Sequence, residues 1–224
     1  MKTIAKHLKS DWYKYLFDII VVILGIMIAF GLNNWNESKK QLELEQQYYK
    51  DVLQELNEDL IKIKENRTFN NYLIPRYALA KEIILLDTKR QKVETLGKIS
   101  LELMLKSDFK KETSIYDALS NSTNLDLISN KNILKKLQNL GSLYKTINAL
   151  ESGQQQVIAG ITERVLESVR IEPFKVMEVD KIYHFRFQNI FEIYLHMSNE
   201  KEVKYAEAEK AINSLINFIN KELN

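Results

Sequence analysis

The chain has 224 residues, and its 32 basic and 30 acidic residues give a net charge of +2. This near balance argues against a nucleic-acid-binding domain, in which basic residues are in excess on one face. The absence of cysteine excludes disulfides, thiolate nucleophiles and cysteine-ligated metals. Because strands need turns, and only 6 Gly and 2 Pro are present, the composition predicts an all-α protein.

An apolar segment near the start of the chain predicts a transmembrane helix over residues 13–35. Asp18 is the only charged residue between Leu16 and Leu32, and with its flanks the segment reaches the ~20 residues that cross a bilayer core. Aromatic side chains at both ends are typical of anchors at the two water–lipid interfaces. These interfacial anchors are Trp12, Tyr13, Tyr15 and Trp35.

A cleaved signal peptide and a buried soluble helix are the competing interpretations of this segment. A signal peptide has a shorter apolar region that ends at a small-x-small cleavage site, which Ala29-Phe30-Gly31 resembles only weakly. The polar exit through Asn33, Asn34 and Trp35, with a helical pattern beyond it, favours an uncleaved anchor. The length and the aromatic ends argue against a buried helix.

The lysines around the apolar segment give a slight preference for one topology. More of them precede the segment than follow it closely, and the positive-inside rule places the more basic end in the cytoplasm. We therefore expect a short cytoplasmic tail at residues 1–12 and an extramembrane, periplasmic domain at residues 36–224, anchored in a bacterial inner membrane. The lysines are Lys2, Lys6, Lys9 and Lys14 before the segment and Lys39, Lys40 and Lys50 after it.

One face of the predicted transmembrane helix combines an acidic residue with small residues. Four residues separated by 7, 4 and 7 positions fall within about 40° of one another at about 100° per residue. Two of them form a small-xxx-small pair, which lets two helices approach closely. We expect this face to pack against a second copy of the chain or a membrane partner, although Asp18 alone also fits a side chain that reaches water or Lys14. The packing face consists of Asp18, Gly25, Ala29 and Asn36.

Beyond residue 36, the pattern predicts that the transmembrane helix continues as a long helix. Apolar residues recur every seven positions, with further ones four positions later, which indicates a helix that packs on a neighbour. The neighbour is either a second subunit, in a coiled coil, or the later helices of the same chain. A tyrosine and Gln46 at seam positions favour the intramolecular bundle. The helix seam consists of Leu42, Tyr49, Leu53, Leu56, Leu60 and Ile63.

The middle of the chain predicts shorter helices. Pro75 ends or kinks the long helix, because proline lacks a backbone donor, and a second helix follows over about residues 76–92. Gly97 marks a break before a short helix at residues 99–105. Thr113 and Ser114 are suited to cap a further helix, ahead of a turn-rich insert at residues 120–124. The second helix is expected to bury Ala78, Leu79, Ile83 and Leu86.

The last hundred residues also predict helices. A cap at Ser129 or Asn130 begins a helix whose pattern resumes over residues 143–168, with Gly153 and Gly160 as weak points. The inward side chains of its first turns are Ile133, Leu134, Leu137 and Leu140.

Pro173 is the next breaker, and an aromatic-rich stretch at residues 183–197 follows it. This stretch is interpreted as a helix that contributes to the core, although residues 183–187 alternate and also fit a short strand. An amphipathic helix over residues 200–223 closes the chain. Its inward side chains are predicted to be Tyr205, Ala208, Ile212, Leu215 and Ile219.

The sequence resembles a family of uncharacterised single-span membrane proteins of Bacteroidetes. That family carries an acid, an apolar run with an internal Gly, Ile-Ala, and then Asn-Asn-Trp-Asn-Glu, and here these elements stand at residues 18, 25, 28–29 and 33–37. The family more often has Glu where this chain has Asp18. A second similarity runs from Tyr116 through the segment at residues 125–130 into a Leu-rich helix. The resemblance implies a membrane anchor with a mostly helical extramembrane domain, and it implies no reaction.

The chain carries no motif that predicts catalysis, a cofactor or a metal. Three scattered histidines, His7, His184 and His196, lack the spacing of a zinc site. The glycine-rich phosphate loops and the Gly-x-Ser-x-Gly motif are absent from the sequence. An enzyme is therefore the least supported class of protein.

Three hypotheses about function remain from the sequence. The leading one is a non-enzymatic, membrane-anchored scaffold or sensor that self-associates or binds a membrane partner through its transmembrane helix. The second is a stator-like, energy-transducing subunit that uses Asp18 within the membrane, by analogy of layout alone. The third is a ligand-sensing periplasmic domain that signals through a separate partner, because a tail of about a dozen residues is too short to be an output domain.

Overall fold

The computed structural model describes residues 12–111, 115, 117, 119 and 127–223, and within residues 12–15 it describes only the backbone. This part of the chain is almost entirely helical, which confirms the all-α prediction. Ile115, Asp117 and Leu119 also have helical backbone. The elements in chain order are α1 (Trp12–Leu86), α2 (Val93–Glu102), α3 (Lys131–Ser168), β1 (Val169–Arg170), β2 (Lys175–Val176), α4 (Val179–Ile182) and α5 (Phe185–Leu223).

The chain divides into two compact units, Met1–Tyr48 and Tyr49–Asn224. In the first unit the apolar segment is exposed over its whole circumference, with exposures that run from 45% at Ile20 to 68% at Phe30. A helix whose apolar side chains cover every face has no polar side to turn toward water. By length and composition, this segment is able to span a membrane.

The core of the second unit forms where α1, α3 and α5 pack through apolar side chains at helical spacing. Tyr77 on α1 lies edge-on to Tyr194 of α5, with ring centroids 5.6 Å apart, and its centroid is 6.2 Å from that of Phe191. These contacts show that the part of α1 around Tyr77 packs on a later helix of the same chain. The fully buried members of this core are Tyr77, Ala80, Leu96, Ile99, Leu103, Val165, Ile182, Phe191 and Tyr194.

Helix α1 continues through Pro75, so the predicted separate helix at residues 76–92 is wrong. Tertiary contacts on both sides of the proline offset the ~3 kcal/mol that an interior proline costs a helix. Leu73 and Tyr77 are buried there, and Asn70 Nδ2 donates to the Ser198 carbonyl oxygen at 2.7 Å. The inward face is also rotated relative to the prediction: Ile83 is buried with Tyr77 and Ala80, whereas Ala78, Leu79 and Leu86 are exposed.

Gly97 lies inside α2, so the predicted break at this residue is wrong. The short antiparallel hairpin, in which Val169 pairs with Val176, packs against this point of the helix. A Cβ on Gly97 would collide with Val176 Cγ2 and lie 3.2 Å from Phe174 Cζ. Gly97 therefore allows the helix and the hairpin to approach closely. From the sequence alone, such a glycine cannot be distinguished from one that breaks a helix.

Helix α3 is a single helix that includes Gly153 and Gly160, and it ends at Ser168 as predicted. The predicted cap is confirmed at Asn130, whose side-chain oxygen accepts from the backbone N–H of Asn132 at 2.9 Å.

Helix α5 joins two predicted helices into one of 39 residues, and the alternative of a strand at residues 183–187 is wrong. The predicted core positions of the closing helix are confirmed, because Tyr205, Ala208, Ile212, Leu215 and Ile219 are all fully buried. The aromatic stretch also contributes to the core, except for Phe185, which is exposed. The predicted cap at Thr113 and Ser114 and the insert at residues 120–124 lie outside the described residues.

Candidate functional site

The predicted packing face is a continuous surface of the first unit. Asp18, Gly25, Ala29 and Asn36 are all exposed on α1. Apart from its two chain neighbours and the nearby backbone of its own helix, no described atom lies within 4 Å of a Cβ placed on Gly25. The helix is therefore open at this point to close approach by another helix, which is the geometry that a small-xxx-small pair needs.

Of the predicted interfacial anchors, the structure describes the side chain of Trp35. This side chain is exposed, and the ammonium group of Lys39 lies 6.0 Å from the centroid of its ring. Tyr13, Trp12 and Tyr15 lie on the helical backbone, but their side chains are outside the described part of the structure. An indole beside a lysine at the end of an apolar helix is the arrangement found at a lipid headgroup boundary.

The predicted seam divides into three parts in the structure. Tyr49, Leu56 and Ile63 are buried, Leu53 and Leu60 are half-buried, and Leu42 is exposed. The other buried positions of this stretch are Val52 and Asp59.

A chain of polar groups that the sequence does not reveal lies inside the second unit. Lys201 Nζ on α5 donates to Ser107 Oγ at 2.8 Å and also to the side-chain oxygen of Gln154 on α3. Ser107 Oγ is 2.9 Å from the Tyr205 hydroxyl, which contacts Glu151 on α3. Lys201 is 1% exposed and Tyr205 is fully buried, so the protein and not water satisfies these groups.

The number of protons on each of these groups fixes which one donates and which one accepts in each hydrogen bond. A phenol has one proton, so a Tyr205 hydroxyl that donates to the Glu151 carboxylate must accept from Ser107. Ser107 in turn accepts from Lys201, which as an ammonium group has only donors. The hydrogen bonds thus run from Lys201 through Ser107 and Tyr205 to Glu151, and we call these four residues the polar relay. Its carboxylate end also accepts from the Phe109 backbone N–H, which is 3.0 Å from both oxygens.

Burial shifts the pKa values of the two ends of the polar relay, Lys201 and Glu151, in the directions that favour their uncharged forms. Burial lowers the pKa of Lys201 to about 8, against a smaller raising effect of the Glu151 charge. Burial also raises the pKa of Glu151, although hydrogen bonds from Tyr205 and Phe109 N favour its charged form. Replacing either side chain with one that cannot make these hydrogen bonds would leave buried polar groups without their partners, a situation that strongly destabilises proteins.

A second polar cluster joins α1, α3 and the segment after α2. Asp59 is 1% exposed and accepts from the Tyr144 hydroxyl at 2.9 Å and from Lys111 Nζ at 3.0 Å. Burial lowers the pKa of Lys111, but its hydrogen bonds to Glu55 and Asp59 outweigh this, so the pKa is raised overall. These bonds explain how a carboxylate occupies a core position of the long helix.

The polar relay reaches a cavity of about 200 Å³. Ser107 and Glu151 contribute to its wall, together with exposed lysines on the rim. A serine hydroxyl and a carboxylate therefore stand where a small polar molecule would contact them. The wall consists of Lys106, Ser107, Asp108, Lys110, Asn148, Glu151, Ser152 and Gln155.

The polar residues of the core are not recognised by hydrophobic patterning, because a lysine or a glutamate is assigned to a solvated face. A signal exists in the spacing: Lys201 falls at the helical position that precedes Tyr205, Ala208, Ile212 and Leu215. A lysine inside such an apolar series indicates a buried charge with a partner on another helix.

The described residues contain no group of three or more His, Cys, Asp or Glu side chains that would hold a metal ion. His184 and His196 are both exposed. Comparisons of the chain with protein-family models, with curated proteins and with solved structures find no match.

Proposed function

We propose that this protein is a non-enzymatic scaffold or sensor, held in a bacterial inner membrane by one transmembrane helix and carrying a helical domain in the periplasm. The observation that supports this proposal is the helix in which every described side chain from Leu16 to Leu32 is exposed. In water such a surface would aggregate, whereas in a bilayer it contacts lipid. The proposed topology, with a cytoplasmic N-terminus, rests on the lysine distribution, and membership in the Bacteroidetes family rests on the motif at residues 33–37.

The same proposal includes association through the packing face, with a second copy of the chain or with another membrane protein. The open surface at Gly25 supports it, because a flat patch of small residues allows helix backbones to approach. Asp18 lies on this face, where a polar group within lipid gains from a partner on a second helix.

Disulfide cross-linking in native membranes tests the association. Because the chain has no cysteine of its own, only the introduced cysteines can form a disulfide between two copies. Single cysteines replace Gly25 and Ala29 in one set of variants and Ile23 and Met27 in the matched set. Each residue of the matched set precedes a residue of the first set by two positions. Two positions correspond to about 200° around a helix, so the matched set lies on the opposite face. Self-association predicts dimers from Gly25→Cys and Ala29→Cys, whereas equal dimer yields from both faces would contradict a specific packing face.

The polar relay and its cavity favour a sensor over a purely structural scaffold. A scaffold needs no buried lysine, and apolar residues in place of a buried ion pair are often equally stabilising. A charge pair that reaches a cavity wall offers a ligand or a proton a way to change the packing of α3 against α5.

A further inference from the structure

We propose that a second cavity, at the junction of α3, α4 and α5, binds a small organic oxyanion, that is, a phosphate or carboxylate group on an apolar body. This cavity has a volume of about 530 Å³, within the roughly 300–1,000 Å³ of small-molecule sites. The inference goes beyond membrane anchoring and does not depend on it. The cavity is lined by Arg164, Glu167, Ser168, Asp180, Lys181, His184, Arg186, Phe187 and Ile190.

The charges of the cavity do not cancel, and the excess is positive. Glu167 pairs with Lys181 at 3.6 Å, and Asp180 pairs with Arg90, which lies outside the lining. Both acids of the lining thus have an ion-pair partner. Arg164 and Arg186 are exposed and make no ion pair or hydrogen bond through their guanidinium groups with any described residue. Two guanidinium groups therefore remain available in one cavity.

Free guanidinium groups select the chemistry of the ligand. The planar fork of an arginine donates two parallel N–H bonds, which match the oxygens of a phosphate or a carboxylate. Arg164 is in the last turns of α3 and Arg186 in the first turn of α5. The partial positive charge at the amino end of α5 attracts an anion and the partial negative charge at the carboxyl end of α3 opposes it, so the two arginines carry the attraction.

Two apolar side chains also line the cavity, and they favour an organic anion over a bare one. Phe187 and Ile190 line it and are 4% and 8% exposed, so their visible parts belong to the cavity wall. An inorganic phosphate would leave this surface in contact with water. An apolar body attached to the anion would cover it, and the added contribution is modest because most of both side chains is already buried.

The surrounding structure holds the cavity in place. The Met177 backbone N–H donates to the Ser168 carbonyl oxygen at 2.8 Å, which ties the segment just before α4 to the end of α3. The Phe187 backbone N–H donates to the His184 carbonyl oxygen at 2.9 Å and closes the first turn of α5. Both guanidinium groups therefore project from backbone that is fixed by hydrogen bonds, which lowers the ordering cost of binding.

Calorimetric titration of the full chain in mild detergent tests the proposal, with phenyl phosphate as the probe. Inorganic phosphate lacks the apolar body, and phenol lacks the anion. We expect phenyl phosphate to bind more tightly than either, and its affinity to fall as salt is added. Undetectable binding of phenyl phosphate at millimolar concentration would overturn the proposal.

Two variants assign the binding to the cavity. Arg164→Gln and Arg186→Gln should each weaken phenyl phosphate about tenfold or more, because each removes charge-assisted hydrogen bonds. Arg170→Gln is the matched control, since Arg170 is exposed on β1 and does not line the cavity. Circular dichroism checks that the fold is kept. An equal loss in the Arg170→Gln variant would overturn the assignment.

The source of the anion is distinguished by competition with a soluble short-chain phosphatidic acid. If phosphatidic acid displaces phenyl phosphate at a lower concentration than phenol does, the site is assigned to a lipid headgroup. Retention of phenyl phosphate assigns it to a free organic anion. Both results support an oxyanion site and separate its two sources.

Discussion

Lys201 and Glu151 are joined inside the helical domain by two hydroxyl groups, those of Ser107 and Tyr205. The ammonium group and the carboxylate come from different helices, α5 and α3, so the polar relay connects two elements of the core. Both groups are satisfied by hydrogen bonds within the polar relay, and each would lose buried hydrogen-bond partners if the other side chain were replaced.

The first prediction concerns the coupling between these two charges. Lys201→Met and Glu151→Gln should each lower the free energy of unfolding by about 3 kcal/mol, because each leaves a buried group without its partner. The double variant should lose clearly less than the sum of the two. Denaturant unfolding of the full chain in detergent, followed by circular dichroism, measures all three.

The matched control for this cycle is Lys204→Met, which removes a more exposed lysine of the same helix that pairs with Glu207. Such an ion pair is worth about 0–1 kcal/mol, so little change is expected. Strict additivity of the two relay substitutions would show that the charges do not interact.

The second prediction concerns pH. The pKa of Lys201 is about 8 in the folded protein and 10.5 as the ordinary value, so the unfolded chain binds more protons between these values. Stability then rises with pH across this window, because the neutral amine is no longer penalised by burial. From pH 7 to 9.5, the contribution of Lys201 to the free energy of unfolding should increase by about 2 kcal/mol.

The comparison of wild type with Lys201→Met isolates this contribution. The buried tyrosines, whose pKa values burial raises, oppose it at higher pH, because the unfolded chain loses their protons first. These tyrosines are present in both proteins and largely cancel in the difference. Parallel pH profiles of the two proteins would mean that Lys201 does not titrate in this range.

The third prediction compares two glycines that both lie inside helices. Gly97→Ala should destabilise the domain by about 1–3 kcal/mol, because the new methyl group collides with Val176 of the hairpin. Gly160→Ala should stabilise it by about 0.5–1 kcal/mol, since nothing lies within 4 Å of its Cβ position. Thermal unfolding measures both, and shifts of the same sign would contradict the packing described for the hairpin.

The fourth prediction distinguishes the proposed scaffold or sensor from the stator-like alternative. Asp18→Asn keeps the size of the side chain and removes its charge. If the protein carries no protons, liposomes containing wild type and Asp18→Asn should show the same proton permeability. A higher permeability of the wild type that Asp18→Asn abolishes would instead support the energy-transducing alternative.

The elements that sequence reasoning located best are those whose pattern is regular. The closing helix alternates three- and four-residue steps between Tyr205 and Ile219, and every predicted core residue there is buried. The sequence also located the cap to Ser129 or Asn130, and the structure places it at Asn130, because a short polar side chain before an apolar series has a specific role in helix initiation.

The remainder could not be predicted because tertiary contacts decide it. Pro75 was interpreted from the sequence as a helix end. In the structure, the buried Leu73 and Tyr77 and the hydrogen bond of Asn70 stabilise the helix on both sides of it. The predicted seam of the long helix omitted the buried Asp59 for a similar reason. Asp59 takes a core position only because Tyr144 and Lys111, which are distant in sequence, satisfy its carboxylate.

Extraction of membranes with alkaline carbonate tests the central claim, that one apolar helix anchors the protein in lipid. The full chain should remain in the pellet after carbonate and pass into the supernatant only with detergent. Release of the intact chain by carbonate, in a form that stays dispersed without detergent, would contradict a transmembrane anchor.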